Sequence, residues 1–279
     1  MSTANPDDLS RQISATISSI LQEGSLAALV TIFEAPAATD TVGAKLLIDA
    51  SGGRLGALGS YDGGALDDAV AAEAARFLKS REETRVLQVK EFAPELKDWA
   101  EAKLLFERIQ PEPRLVICGA GHVGASLARM ASLLGYHTTL IDDRSEFVAR
   151  EHFPDARIEL VEAQNWSEAV RSAVGAGKGV SVAIVTRGHS EDEECLRAVI
   201  NLNADYVGLI GSRRRTNIVL QRLRESGATA EALNAVRAPV GLDIGAVTPE
   251  EVALAIMAEI VSVRRGGEGQ SLSEWRRSK

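Results

Sequence analysis

One stretch of the chain constrains its fold more than any other. The segment "RLVICGAGHVGASLARMASLLGYHTTLIDDR", from Arg114 to Arg144, joins an apolar strand to a glycine-rich turn, a helical pattern and a second strand. A strand, a GxGxxG turn and a helix in this order are typical of a dinucleotide-binding domain. Further apolar strands follow at "ARIELV", "VSVAIVT" and "YVGLIG", separated by stretches long enough for crossover helices. This alternation predicts a doubly wound parallel sheet.

The residues before this segment predict a separate, smaller unit. Helical spacing from Pro6 to Leu21 indicates an amphipathic helix, and "ALDDAVAAEAARFLKS" indicates an Ala-rich one. The segments "SLAALVTIF", "GAKLLIDASGGRLGAL", "TRVLQVKEF" and "AKLLFERI" are typical of strands, the second forming a hairpin. The two prolines of "QPEPR" then indicate a linker. We therefore predict an α/β protein with an α+β domain at 1–110, a boundary near Pro111 to Pro113, and a Rossmann-like domain at 114–279.

Composition excludes several classes of protein. The net charge of −8 and the pI of about 5.2 argue against a protein that binds nucleic acid through a basic surface. Two cysteines, Cys118 and Cys195, fit a reducing compartment, and no spacing suggests a zinc site. Neither a signal peptide nor an apolar run near 18 residues is evident. We expect a cytoplasmic protein that binds neither nucleic acid nor membrane and holds no metal of its own.

The glycine-rich turn is the first candidate binding element. Gly119 permits the tight turn, Gly121 lets backbone N–H groups approach a pyrophosphate, and Gly124 lets the helix pack closely on the strand. The start of the helix adds a partial positive charge. His122 and Val123 lie within the same turn and are further candidates to contact a cofactor. The alternative is a domain that keeps these glycines for packing alone.

A second candidate element ends the next strand. Asp142 follows the glycines by roughly 20 residues, the spacing at which an acid accepts hydrogen bonds from a ribose diol. Asp143 and Arg144 come directly after it and are counted in the same cofactor-binding set.

Three more clusters follow later strands, where open α/β sheets bind ligands. Thr186 and His189 come after "VSVAIV"; His189 could bind metal or move a proton, although the acids beside it are also explained by the helix dipole. Ser212 and Arg213 follow a glycine after "YVGLIG" and predict an anion site. Asp243 lies between two glycines of "GLDIGA" and could face the same crevice.

The motifs together resemble one family. "ICGAGHVG", "IDDR", "YVGLIGSRRR" and "GLDIGAVTPEEVALAIMAEIVSVRRG" resemble the XdhC/CoxI family of accessory proteins for xanthine dehydrogenase and carbon monoxide dehydrogenase. The resemblance covers nearly the whole chain. It implies a small XdhC/CoxI domain followed by a Rossmann-like domain, a homodimer, and binding of molybdenum cofactor as molybdopterin or its dinucleotide. It further implies delivery to an apo-molybdoenzyme of the xanthine dehydrogenase type, with a cysteine desulfurase as sulfur donor.

The first domain departs from the family pattern. The chain has "EAPAATDTVGAK" where members commonly have a Ser-Ser-Pro-Arg-like segment, and "GSYDGGALDD" where they commonly have Gly-Gly-Cys. Ala65 stands where that cysteine is expected. A thiolate could bind molybdenum or carry sulfur, and alanine can do neither. What the resemblance implies is therefore limited to fold, phosphate binding and a general maturation role.

Three hypotheses remain open at this point. The first is a cofactor-binding accessory protein for a molybdoenzyme, with little turnover of its own. The second is an NAD(P)-dependent oxidoreductase, which the glycine turn and Asp142 support but which lacks an evident catalytic pair. The third is a paralogue that has lost the cofactor chemistry and serves as a scaffold or nucleotide sensor.

Overall fold

The described chain forms two structural units. The computed structural model describes residues 6–35, 41–59, 64–80 and 82–273. The units divide between Pro111 and Glu112, within the proline-containing linker.

The first unit contains a five-stranded antiparallel sheet. The sheet has the order β3-β2-β1-β5-β4, so that β1 and β5 lie at its centre. The elements along the chain are α1 (Pro6–Gln22), β1 (Ala27–Glu34), β2 (Lys45–Asp49), β3 (Arg54–Gly56), α2 (Ala65–Lys79), β4 (Thr84–Gln88), α3 (Val89–Phe92) and β5 (Lys103–Ile109).

The two long helices of this unit cover opposite faces of the sheet. Side chains alternate along β1 because successive Cβ atoms of a strand point to opposite faces. Ala28, Val30 and Ile32 pack into the cluster that contains the apolar side of α2, whereas Ala27 packs with Ile20 of α1. The predicted α+β character of this unit follows from this arrangement.

One predicted strand is shorter than expected. "TRVLQVKEF" was expected to be extended throughout, but β4 ends at Gln88 and the next four residues form the helical turn α3. The side chains and backbones of Gln88 and Glu91 form a reciprocal capping box, with the Gln88 N–H donating to Glu91 Oε1 at 2.6 Å. This cap satisfies N–H groups that a helix start leaves without partners, which favours the turn over a longer strand.

The second unit confirms the predicted parallel sheet. Its strands have the order β10-β9-β6-β7-β8 and every pair is parallel. The order reverses beside β6, so the ends of β6 and β9 form the switch point at which open α/β sheets bind ligands. The elements are β6 (Arg114–Cys118), α4 (His122–Leu133), β7 (His137–Asp142), β8 (Ile158–Glu162), α5 (Trp166–Val174), β9 (Val180–Ile184), α6 (His189–Val199), β10 (Tyr206–Leu209), α7 (Arg213–Glu225), α8 (Ala230–Ala235) and α9 (Pro249–Arg265).

The connection from β7 to β8 differs from the other crossovers. The sequence leaves room for a helix there, but the described chain makes two short 3₁₀ turns, Ser145–Val148 and Arg150–His152. Phe153 precedes Pro154, and a residue before proline is disfavoured in helical conformation. The second turn therefore ends at His152, and Val148 and Phe153 fill the core in place of a helix.

Helices cover both faces of the parallel sheet. Leu115 and Ile117 of β6 pack toward α4 and α9, and Val116 and Cys118 pack toward α5, α6 and α7. Cys195 of α6 lies in the same cluster as Cys118, and both thiols are free and fully buried. A hydrogen bond to Cys118, together with burial, raises the pKa of the Cys195 thiol. The Cys195 thiol is therefore un-ionised, and both cysteines are packing residues, as the sequence suggests.

The motif before α9 is fixed by one carboxylate. Glu259 of α9 accepts a hydrogen bond at Oε2 from the Tyr206 hydroxyl (2.5 Å) and another from the Gly241 N–H (2.9 Å). Gly241 has φ +102, a conformation that favours glycine, and a Cβ there would lie 3.3 Å from the backbone carbon of Ala255. The "VGLD" turn thus depends on close approach to α9.

We predict that Tyr206→Phe destabilises the protein and Tyr136→Phe does not. The Tyr206 hydroxyl bonds a charged acceptor, so its loss is expected to cost about 1.5–3 kcal/mol. The Tyr136 hydroxyl is buried with no hydrogen-bond partner among the described residues, so its removal should leave stability unchanged or raise it. Urea unfolding of both variants measures the difference. Equal destabilisation would contradict the assignment of the Tyr206 bond.

Candidate functional site

A crevice of about 370 Å³ lies at the carboxyl ends of the parallel strands. Eight residues predicted from the sequence line it: Gly119, Gly121, His122, Val123, Asp142, Asp143, Arg144 and Thr186. Eight others that were not in the predicted set also line it: Trp166, Val185, Arg187, Glu191, Ile210, Gly211, Arg215 and Pro249.

The physical reason for a glycine differs among the three glycine positions of the turn. Gly119 has φ +109, and a Cβ there would lie 2.6 Å from the Val185 carbonyl oxygen. At Gly124 a Cβ would overlap the Gly119 carbonyl oxygen, which shows that this glycine allows the close packing of α4. Gly121 has φ −63, and a Cβ there would meet no described atom within 4 Å. The fold requires Gly119 and Gly124, whereas Gly121 leaves an open backbone surface facing the crevice.

We predict opposite effects for two glycine-to-alanine variants. Gly124→Ala should destabilise the protein by about 1–3 kcal/mol, the usual cost of overpacking. Gly121→Ala should leave stability unchanged or raise it by about 0.4–1 kcal/mol, because alanine fits its backbone conformation, while it obstructs a bound phosphate. Thermal unfolding measures the first effect and ligand titration the second. A Gly121→Ala protein that unfolds as easily as Gly124→Ala would contradict this division.

Asp142 is buried and fully engaged within the protein. Its carboxylate accepts hydrogen bonds from the Ala120 N–H (2.7 Å), the Arg144 N–H (3.1 Å), and Nε (2.8 Å) and Nη2 (3.0 Å) of Arg144. Burial opposes ionisation, but the hydrogen bonds from Arg144 and Ala120 outweigh it and lower the pKa of Asp142. The carboxylate therefore ties the glycine turn to the end of β7.

An ion pair connects the loops that follow β7 and β9. Arg187 Nη2 lies 2.8 Å from Asp143 Oδ2, and Arg144 Nε lies 3.8 Å from Asp143 Oδ1. The Arg144 guanidinium also stacks on Phe147, with Cζ 3.5 Å from the ring centroid. Two guanidinium groups therefore line the crevice together with the glycine turn. Asp142 and Asp143 pair with Arg144, and Asp143 and Glu191 pair with Arg187.

A second buried carboxylate lies under the opposite wall of the crevice. Asp192 of α6 is fully buried; it accepts the Thr186 hydroxyl at 2.5 Å, and Arg215 donates to it from Nε (3.0 Å) and Nη2 (2.5 Å). Burial raises the pKa of Asp192, against these hydrogen bonds. The Thr186 hydroxyl therefore points to Asp192, and Arg215 is fixed where it lines the crevice.

Five predicted residues do not line this crevice. Gly124 serves packing in α4, and His189 is exposed at the start of α6. Ser212 caps α7, its hydroxyl accepting the Arg215 N–H, and Arg213 is exposed in the first turn of that helix. Asp243 is exposed in the loop before α9.

The helical register explains why Arg215 rather than Arg213 lines the crevice. Thr216, Val219 and Leu223 form the buried side of α7, and Arg215 is adjacent to that side. The spacing of these apolar residues is visible in the sequence, so the register could have identified Arg215. Trp166 and Pro249, by contrast, come from helix starts whose position at the crevice depends on the tertiary fold.

The described residues contain neither an evident metal centre nor a candidate membrane span. No group of three or more His, Cys, Asp or Glu side chains there is arranged to hold a metal ion. None of the helices in the described ranges is long and apolar enough to cross a membrane.

The strand order and the glycine-rich turn at the switch point define a Rossmann-type domain. Residues 115–260 match the family model described as the XdhC Rossmann domain, and residues 20–90 match the model described as the XdhC and CoxI family. The chain belongs to this XdhC family, which confirms the resemblance seen in its motifs.

Curated relatives and one solved structure are similar to the chain. It is 37% identical over 157 residues to "Uncharacterized protein YqeB" of Escherichia coli, 31% over 162 residues to a probable xanthine dehydrogenase subunit of Bacillus subtilis, and 27% over 164 residues to "Molybdenum cofactor insertion chaperone PaoD" of Escherichia coli. These matches cover 56%, 58% and 58% of this chain and 28%, 46% and 43% of the relatives, so they span less than half of each relative. A crystal structure of a xanthine dehydrogenase from Bacillus halodurans matches 94% of this chain and 98% of that one, with a TM-score of 0.51 and 18% identity, and so shares the fold.

Proposed function

We propose that the chain binds molybdenum cofactor in the crevice and acts as an accessory protein that delivers it to an apo-molybdoenzyme of the xanthine dehydrogenase type. The open backbone at Gly121 is the observation that carries this proposal, because the fold itself does not require a glycine there. Family membership and the relative named as a molybdenum cofactor insertion chaperone support the choice of cargo.

The chemistry of the crevice fits the phosphate of this cargo. Molybdopterin carries a phosphate and its dinucleotide form a pyrophosphate. The Gly121 backbone at the start of α4 and the guanidinium groups of Arg144 and Arg187 offer N–H donors to a phosphate, although both guanidinium groups also pair with carboxylates of the site. Ser212, Arg213, His189 and Asp243 lie outside the crevice lining, so their contact with the ligand remains a prediction.

The proposal is for binding and delivery, with no sulfur transfer by the first domain. Ala65 is the exposed first residue of α2, and its methyl group can neither coordinate molybdenum nor carry sulfur. The residues just before it, 60–63, lie outside the described ranges, as do residues 36–40 of the "EAPAATDTVGAK" segment. A partner cysteine desulfurase, a homodimer, cytoplasmic localisation and the 1–110 and 114–279 boundaries remain predictions.

A thermal-unfolding titration tests the proposal. The probes are anaerobically prepared molybdenum cofactor, its cytosine dinucleotide form, NAD and NADP. A ligand that binds the native state at 100 times its Kd stabilises it by about 2.7 kcal/mol. We expect stabilisation by a molybdopterin ligand and its loss in Gly121→Ala. Arg197→Gln is the matched control, because Arg197 is exposed on α6 and pairs with Glu193 outside the crevice.

The delivery step is tested by reconstitution. The loaded protein is mixed with an apo-enzyme of the xanthine dehydrogenase type. The activity of that enzyme should return faster than it does when free cofactor is added instead. Stabilisation by NAD or NADP alone would contradict the proposal and favour the hypothesis of an NAD(P)-dependent oxidoreductase. Stabilisation by none of the probes would favour a scaffold that has lost the cofactor chemistry.

A further inference from the structure

The acid at the end of β7 has no acceptor capacity left for a ribose. An ionised carboxylate has two oxygens with about four lone-pair sites. The Ala120 N–H and three N–H groups of Arg144 donate to these oxygens at 2.7 to 3.1 Å. A ribose diol would have to displace the glycine turn or Arg144 from Asp142, which is buried beneath them.

Arg144 pairs with Asp142 and itself lines the crevice. A guanidinium has five N–H donors, and only two side-chain donors of Arg144, on Nε and Nη2, bond Asp142. The group is fixed between Asp142 and the Phe147 ring and remains 29% exposed where it lines the crevice. Its orientation is therefore set before a ligand arrives, which lowers the entropic cost of binding an anion.

The remaining N–H donors of Arg144, rather than the net charge around it, favour an anionic oxygen over a neutral diol, because Asp142, Asp143 and Glu146 already lie near the guanidinium. Arg187 pairs with Asp143 and lies 3.9 Å from Glu191, with its side chain 50% exposed. A phosphomonoester carries a charge of about −1.5 to −2 near neutral pH and accepts paired hydrogen bonds from a guanidinium.

We propose that Arg144 contacts a terminal phosphomonoester of the ligand and that Asp142 is a positioning residue that contacts no ligand. Resting on the proposed function, this assigns the phosphomonoester form of molybdenum cofactor as the cargo in preference to the dinucleotide form, whose nucleotide ends in a ribose diol. The same chemistry would also accept a 2′-phosphorylated adenosine, so the test separates the two sources.

Two matched ligand pairs test the assignment by isothermal titration on the full chain. The first pair is molybdenum cofactor in its phosphomonoester form and its cytosine dinucleotide form. The second is adenosine 2′-monophosphate and adenosine, of which only the first carries a phosphomonoester. We expect the phosphomonoester member of at least the first pair to bind about tenfold tighter or more, the effect of one charge-assisted contact.

The variants separate the two residues. Arg144→Gln alone leaves a buried carboxylate uncompensated and could fail to fold, so Asp142→Asn is compared with the double variant Asp142→Asn/Arg144→Gln. The preference for the phosphomonoester should be smaller in Asp142→Asn than in the wild type and absent from the double variant. Arg197→Gln should retain the wild-type preference. A preference that survives the double variant overturns the assignment.

The wild-type outcomes distinguish this inference from the proposed function. Equal binding of both molybdenum cofactor forms, or tighter binding of the dinucleotide form, overturns the inference and leaves the proposed function standing. A preference seen only within the adenosine pair supports the role of Arg144 and overturns the proposed cargo. Binding of no probe overturns both.

Discussion

The hydrogen bonds of Asp142 are the interaction on which the crevice depends. The Asp142 carboxylate is 1% exposed, so its ionised form is tolerated in the fold only if hydrogen-bond donors satisfy its oxygens. Removing one partner of a buried ion pair typically costs about 3–5 kcal/mol. One oxygen holds the Ala120 N–H and so fixes the glycine turn, and both oxygens hold Arg144. Because these bonds lower the pKa of Asp142, its stabilising contribution is complete above the ordinary value of 3.8 and is lost as the pH falls below it.

The opposite wall repeats the same device with different elements. Asp192 is fully buried on α6 and holds Arg215 of α7, as Asp142 holds Arg144 after β7. In each pair a buried aspartate fixes an arginine that lines the crevice, so the cationic groups are oriented by the protein before any ligand binds. A site that binds and then releases a cargo benefits from this arrangement, because little of its structure has to be ordered on binding.

The sequence predicts the framework of this site better than its contacts. The parallel sheet, the glycine turn and the position of Asp142 follow from local patterns, since strand, turn and helix signals need only neighbouring residues. Arg144, two residues further on, donates three hydrogen bonds to the Asp142 carboxylate. This contact depends on the backbone conformation after β7, which local patterns do not reveal. Arg213 was predicted because it is the arginine nearest the end of the strand, but the helical register of α7 places Arg215 at the crevice and Arg213 outside its lining. The 3₁₀ turns before β8 are consistent with the position of Phe153 before a proline. This local signal is present in the sequence, but the length of the connection suggested a crossover helix.

The glycine turn shows how structural and functional reasons for one motif can be separated. Gly119 and Gly124 are required by backbone conformation and by close packing of α4, so a domain without any ligand would need them too. Gly121 has an ordinary backbone conformation and open space where its side chain would be. Glycine raises the conformational entropy of the unfolded chain and thereby lowers stability relative to alanine. The fold does not require a glycine at position 121, and this is why the proposed function places the phosphate of the ligand against the Gly121 backbone.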